Sequence, residues 1–574
     1  MSTEASPSLA APVKSTPWWL KLYNHNPFYV ISTVLMLTSV RAAYGEMPIG
    51  EINCWVVMGV LAGYTTLLAL IGICIIRFGK IWEDARSILL LLLLLFLGIS
   101  VSMDDLFVKL ESPHEGALLA LAGVAFSFVI TELVLLLTKI QLRTRYRIPY
   151  YLFLVLFFFT PWWMSPELNP RSSSETEWLL LLFPVAAAGI LLLLLPAVWG
   201  GPKYVRNNGT PWKWPLFPWS MFFMLIVATL IRSYALCLTF GPTGPIWHKL
   251  SSGGMGIVFS TIWGTWFLVP ILWAILLLLL EGGIVAHCSI QRKWSLALTP
   301  ALILLAFPFG SSTVFTAFWD RMLTTVGSPI WIATLLVILF YGWATLRKVS
   351  GAFYGFVSFF LLLAWIDPST EQWPALIPQR AWPIAMVGFG LLIKGLIKHS
   401  SFYQTSASTL LISSIAIVIQ QSSYSQWTTE STFILIWLSA LILGACHRDD
   451  LGCLLRFVAS TQAILVGYQI LTRTLPLELN IGYRLLILVA LTGLCLLLAF
   501  AMKNRWYLFA FAGNFLLLLY GAVLIGYQQA SSQFGSTAML TFSWSLGMLL
   551  FAMLISAHKA DWLPRRLIPK NWTA

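Results

Sequence analysis

Apolar runs of helix-spanning length recur along this chain roughly every 25 to 30 residues, separated by short polar links. A run near 20 residues crosses a hydrocarbon layer about 30 Å thick at 1.5 Å per residue. The pattern predicts about 18 spans: 27–44, 54–76, 87–103, 116–138, 148–164, 178–198, 216–240, 255–280, 294–314, 329–346, 351–366, 381–397, 405–419, 433–446, 451–471, 481–502, 506–527 and 538–557. The expected fold is therefore all-α, a polytopic integral membrane helix bundle. Residues 1–26 and 558–574 are tails, 27–557 form the bundle, and the Pro- and Trp-rich loop 200–215 is a possible seam within it. The short spans in 381–446 leave the helix count least defined.

Composition supports the same class. Hydrophobic residues make up 59% of the chain and charged residues 10%, too little polar surface to cover a water-soluble fold. No stretch outside the spans is long enough for a soluble catalytic domain. Any chemistry must then lie between helices or in short loops at the membrane faces.

Basic residues sort by side. Counting loops alternately from the N-terminal tail, 26 of the 35 Lys and Arg residues fall on one face, eight on the other, and Arg232 within a span. Every segment of the basic face carries at least two, which places both termini in the cytoplasm by the positive-inside rule. The net charge of +13 then reflects juxtamembrane loops facing anionic membrane lipids on the cytoplasmic side, and no basic groove suggests nucleic acid. Most of the 28 Trp lie at span ends, as interfacial anchors do. Arg41 beside the possible cleavage site near Ala42 and Ala43 marks the first span as a retained helix. The expected location is the bacterial cytoplasmic (inner) membrane.

Chemistry-bearing residues inside the spans are few. Glu132 is a carboxylate deep within one, a functional hypothesis by default. It could act as a proton site, or reach the cytoplasmic interface as a structural contact. Arg232 is its expected complement, with a depth difference near 10 Å that tilt and long side chains could close. Thr131 adjoins Glu132. Asp104 and Asp105 form an outer acidic cluster with Glu111, His114 and Glu115 nearby; they resemble the paired carboxylates of lipid-linked-sugar glycosyltransferases. In those enzymes the acidic motif follows the first span, whereas here it follows the third. The segment from Cys446 to Cys453 mixes metal-ligand types, but its spacing differs from a zinc knuckle and reads as a turn capped by Asp450. Pro184, Pro196, Pro270, Pro300 and Pro308 lie in apolar spans and free backbone carbonyls for a ligand or a neighbouring hydroxyl. The opening from Asn26 to Ser32 is similar to the start of uncharacterised multispanning bacterial proteins, a resemblance that implies no activity.

No nucleotide, metal or hydrolase motif is present, and no cofactor is implied. The expected function is a transporter or lipid-flippase-like permease acting on an unknown small or lipid-linked substrate. The alternatives are a noncatalytic membrane scaffold or sensor, and a membrane-embedded glycosyltransferase or polymerase. Whether the chain is an enzyme is left open by the residues. The topology is testable: a reporter joined after Ala574 should be active in the cytoplasm, and Cys labels at Ser173 or Ser425 should react from outside. An unreactive position 173 together with an external C-terminus would overturn the map.

Overall fold

The computed structural model describes residues 27–46, 54–109, 113–164, 172–242, 263–307, 315–367, 378–472, 480–533 and 535–559. Among these residues the regular elements are all helical. Thirteen helices are long and apolar enough to cross a membrane, and large aliphatic and aromatic side chains such as Leu136, Ile397 and Phe500 are left mostly exposed. Exposed apolar surface on that scale suits lipid and not water. The chain is a multi-pass helical membrane protein.

It divides into two compact units, Met1–Leu376 and Ile377–Ala574. In the first, α1 (Phe28–Glu46), α2 (Cys54–Cys74), α4 (Pro113–Thr138), α5 (Thr144–Met164) and α8 (Leu216–Phe240) all pack on α3 (Trp82–Lys109). Further along, α6 (Ser173–Leu192), α7 (Leu195–Tyr204), α10 (Ser289–Leu298), α11 (Ala301–Leu305) and α13 (Pro329–Leu346) surround α9 (Val269–Val285). The helices α12 (Thr316–Thr325) and α14 (Ala352–Leu362) complete this unit among the described residues. The loop 200–215 lies inside it.

The second unit contains α15 (Ala381–Lys398), α16 (Ser401–Gln421), α17 (Thr428–Cys446), α18 (Asp450–Thr472), α19 (Ile481–Met502), α20 (Arg505–Gln533) and α21 (Ser536–Lys559). Here α15 pairs with α16, α19 pairs with α20, and α18 touches α16, α17, α19 and α20. The short spans expected at 381–397, 405–419 and 433–446 are full-length helices, because polar Ser and Thr residues extend α16 and α17 beyond their apolar stretches.

Five of the expected spans are not among the thirteen. Those at 27–44, 148–164 and 538–557 fall within α1, α5 and α21, and 351–366 corresponds to the shorter α14. The fifth, 294–314, is not one helix over its described part: α10 ends at Leu298 and α11 starts at Ala301, on either side of Thr299 and Pro300. A proline ring has no N–H and removes the helical bond to the carbonyl four residues earlier. For Pro300 that carbonyl belongs to Leu296, and the Tyr341 hydroxyl of α13 donates to it at 2.8 Å. The expectation of a hydroxyl meeting a proline-freed carbonyl holds at this position.

Helix ends use local chemistry. Ser172 and Glu175 form a reciprocal capping box at the start of α6, and Ser328 caps α13 with Pro329 in its first turn. Lys80, Lys139, His287, Lys348, His399 and Lys503 adopt positive φ where helices stop. All six lie in the loops grouped as basic from sequence. A side chain in the left-handed region costs about 1–2 kcal/mol, partly offset at the four lysines by placing a cation at a helix C-terminus.

The Leu296 carbonyl gives a direct test. Tyr341→Phe should cost about 0.5–1.5 kcal/mol of unfolding free energy in detergent micelles, since it removes the hydrogen bond to a part-buried acceptor. In a Pro300→Ala background, where the backbone N–H returns, the same change should cost close to nothing. Equal costs in both backgrounds would refute the assignment.

Candidate functional site

The expected site residues separate in the structure. Glu132 lies on α4 with its side chain 41% exposed, and pairs with Arg147 on α5. Tyr151, one turn further along α5, donates its hydroxyl to the same carboxylate. The partner is Arg147 and not Arg232 because α5 begins at Thr144, so Arg147 stands on the adjacent helix of a hairpin. Six residues from the end of α4 and three into α5 leave a depth difference near 5 Å, within reach of two long side chains.

Arg232 is 1% exposed inside the first unit. Its Nη2 donates to the Phe157 carbonyl at 3.0 Å, and its guanidinium carbon lies 5.2 Å from the Phe157 ring centroid. Pro161 withholds the helical partner of that carbonyl, and Ser100 of α3 donates to it as well, at 2.8 Å. One proline-freed oxygen thus joins α3, α5 and α8.

Thr131 faces a different environment from its neighbour. Its hydroxyl donates to the Ser127 carbonyl at 2.7 Å and shares a 3.1 Å hydrogen bond with Tyr150. Thr131 and Tyr150 line a partly open, mainly apolar cleft of about 100 Å³ between α3, α4, α5 and α8, whereas Glu132 and Arg232 are not among its lining residues. At the basic end of the cleft the loop after α4 is held to the 205–215 loop by Gln141 N–H donating to the Asn208 carbonyl at 2.8 Å. Gly209 permits this approach: its φ is +78°, and a Cβ there would stand 2.2 Å from the Lys139 carbonyl oxygen.

Sequence reasoning missed the most enclosed ionic group. Glu281, near the end of α9, has a fully buried side chain and faces Arg347 in a two-point contact of 2.8 Å and 2.5 Å. Trp343 donates its indole N–H to one carboxylate oxygen at 2.6 Å and Trp199 donates to the other at 2.9 Å. The Arg347 guanidinium also lies 5.7 Å and 5.8 Å from those two rings. The Glu281 carboxylate holds the Arg347 proton more tightly and raises its pKa, against the opposing effect of burial. At Gly201, with φ +55°, an added Cβ would meet Val285 at 2.6 Å, so α7 can approach α9 closely beside this cage. The available signal was an acid at the basic end of an apolar span; Trp199 and Trp343 stand 82 and 62 residues away along the chain, and only the fold brings them to it.

A third pair joins Glu177 of α6 to Arg321 of α12, next to the aromatic contact of Trp178 with Phe318 at 4.9 Å. Asp104 and Asp105 fall within α3, which runs past the expected span end to Lys109; their side chains lie outside the described residues.

No protein-family model, curated protein or solved structure matches this chain. Its chemistry is read from its own residues.

In the second unit, the turn between α17 and α18 is hydrogen-bonded as expected, but Asp449 caps it where Asp450 was anticipated. Asp449 Oδ1 accepts from Gly452 N–H at 2.9 Å, and Ser401 donates to its other oxygen. These two donors hold the Asp449 carboxyl below the usual carboxylate range, so the contact persists at neutral pH and is lost only as acid protonates it. His447 and Gln404 are 2.9 Å apart. Among the described residues no three His, Cys, Asp or Glu side chains converge on a metal position.

Burial sets the consequence of breaking the Glu281 cage. Arg347→Leu strands a buried carboxylate and should cost about 3–5 kcal/mol. Glu281→Leu should cost less, about 1–3 kcal/mol, because the Arg347 side chain is 37% exposed and can turn towards water. Chemical unfolding of both variants in micelles would reject this reading if the order were reversed.

Proposed function

We propose that this protein is a lipid-flippase-like permease of a bacterial inner membrane, acting on an amphipathic substrate with an alkyl chain. The observation that carries the reading is the partly open apolar cleft between α3, α4, α5 and α8 in the first unit, with Thr131 on its wall. Small-molecule and lipid sites are concave, mostly apolar and furnished with a few polar groups. A cleft walled by leucine, isoleucine and phenylalanine suits an alkyl chain better than an ion or a sugar.

The carboxylates support the same choice. Glu132, Glu177 and Glu281 each face a guanidinium. Such pairs tie one helix to the next, and loss of either partner would leave the other unpaired. Glu132 is accordingly assigned to holding α4 against α5, and Arg232 to holding three helices together, while Thr131 belongs to the substrate wall.

Translocation of a short-chain fluorescent phospholipid across vesicles containing the full chain tests the proposal. The parent should accelerate transfer over empty vesicles. Leu90→Trp, which narrows the cleft, should slow it by roughly an order of magnitude, whereas Glu132→Gln should retain more than half the rate. Transfer by the parent no faster than in empty vesicles, or an unaffected Leu90→Trp variant, would sink the reading.

A further inference from the structure

The cleft has two distinct ends. On α3, Arg86, Leu89, Leu90 and Leu93 follow the i, i+3, i+4, i+7 spacing of one helix face, and Phe96 continues the wall. From Arg86 to Phe96 is a rise of about 15 Å, half the thickness of a bilayer hydrocarbon core. The wall therefore has the depth of one leaflet.

Its polar end is built by the starts of two helices. Arg86 is the fifth residue of α3 and Ser220 the fifth of α8, and the edge-to-face contact of Trp82 with Trp212 at 5.6 Å brings these helix starts together. Both residues line the cleft. Among the described residues neither side chain makes a hydrogen bond and Arg86 makes no ion pair, although Glu83 and Asp84 share its turn. A half-buried guanidinium and a hydroxyl facing one apolar groove are donors without an acceptor. The neighbouring loop residues Lys80, Lys139, Arg143 and Lys213 increase the positive field around them.

We infer that the cleft binds a glycerophospholipid of net negative charge, its phosphate at Arg86 and Ser220 and one acyl chain along Leu89, Leu93 and Phe96. The argument is charge complementarity at one end and leaflet-depth apolar surface at the other. A guanidinium can donate two parallel hydrogen bonds to phosphate oxygens, and Ser220 can donate a third. The lipid lies in the leaflet bordered by the basic loops, where a negative headgroup is also favoured by the surface field. The inference rests on the permease reading and names its substrate class, but its test does not depend on transport.

Full-length protein is placed in vesicles of phosphatidylcholine containing a trace of either phosphatidylglycerol or phosphatidylcholine with a photoactivatable group on the acyl chain. After illumination, labelled positions are located by mass spectrometry. Labels should concentrate on the cleft, with phosphatidylglycerol favoured by about fivefold, the effect of one basic residue on an anionic lipid. Arg86→Gln should sharply reduce the preference, leaving only what the surrounding loops supply, Arg86→Lys should keep it, and Leu90→Trp should remove cleft labelling from both. Matched thermal unfolding of the variants separates loss of binding from loss of fold, and Ser220→Ala provides a mild second perturbation that should weaken the preference.

Labels absent from the cleft, equal labelling by both lipids in the parent, or a preference unchanged in Arg86→Gln would overturn the inference. Competition by millimolar inorganic phosphate would overturn it too, by showing that the site takes free anion. Cleft labelling with no lipid translocation would retain the site and reject the permease reading. Translocation with an unlabelled cleft would do the reverse.

Discussion

A backbone carbonyl without a partner is costly inside a membrane, where no water is present to satisfy it. The first unit is organised around that constraint. Pro161 withholds an N–H from the Phe157 carbonyl, and Ser100 and Arg232 reach it from two other helices. Pro300 does the same to Leu296, and Tyr341 answers from α13. Helix-breaking residues thereby become points where separate helices are tied. Hydroxyls away from prolines, such as Thr65, Thr229 and Thr334, turn back to the carbonyl four residues earlier in their own helix and need no outside partner. Packing of side chains such as Leu95, Phe153 and Phe222, all fully buried, supplies the remaining cohesion. Between helices in lipid this is a gain of van der Waals contact more than of water release.

Charge obeys the same accounting. A lone charge is expensive in a low-dielectric interior, and Glu132, Glu177 and Glu281 of the first unit each meet a guanidinium. Glu281 is the most enclosed and has the most donors: two from Arg347 and one from each of two indoles. Glu132 is partly exposed and is served by Arg147 and Tyr151 alone. At the cleft, Arg86 lines mainly apolar surface and makes no ion pair among the described residues.

How much of this was legible before folding depends on the range of the interaction involved. Hydropathy is a sum over neighbours in sequence, and it marked the all-helical membrane class and thirteen segments that are long apolar helices. It misjudged 294–314 because mean apolarity does not register the helix break at Thr299 and Pro300. The Glu132 partner was missed for a related reason: Arg147 was assigned to a loop, while helix α5 starts earlier and carries it into reach. Asp449 and Asp450 are neighbours in sequence, and only the backbone direction at the turn selects the first as the cap.

The sequence by itself determined the solvent this protein requires and the positions of most long helices, since each follows from side chains summed over near neighbours. Tertiary structure alone decided which charges meet. It joined Glu281 to Arg347 across 66 residues and brought Arg232 to a carbonyl 75 residues away. It likewise placed Thr131 in the cleft and turned its neighbour Glu132 out of it. Successive residues on a helix point about 100° apart, so the packing of α2, α3 and α5 around α4 determines which of two adjacent side chains faces the cleft.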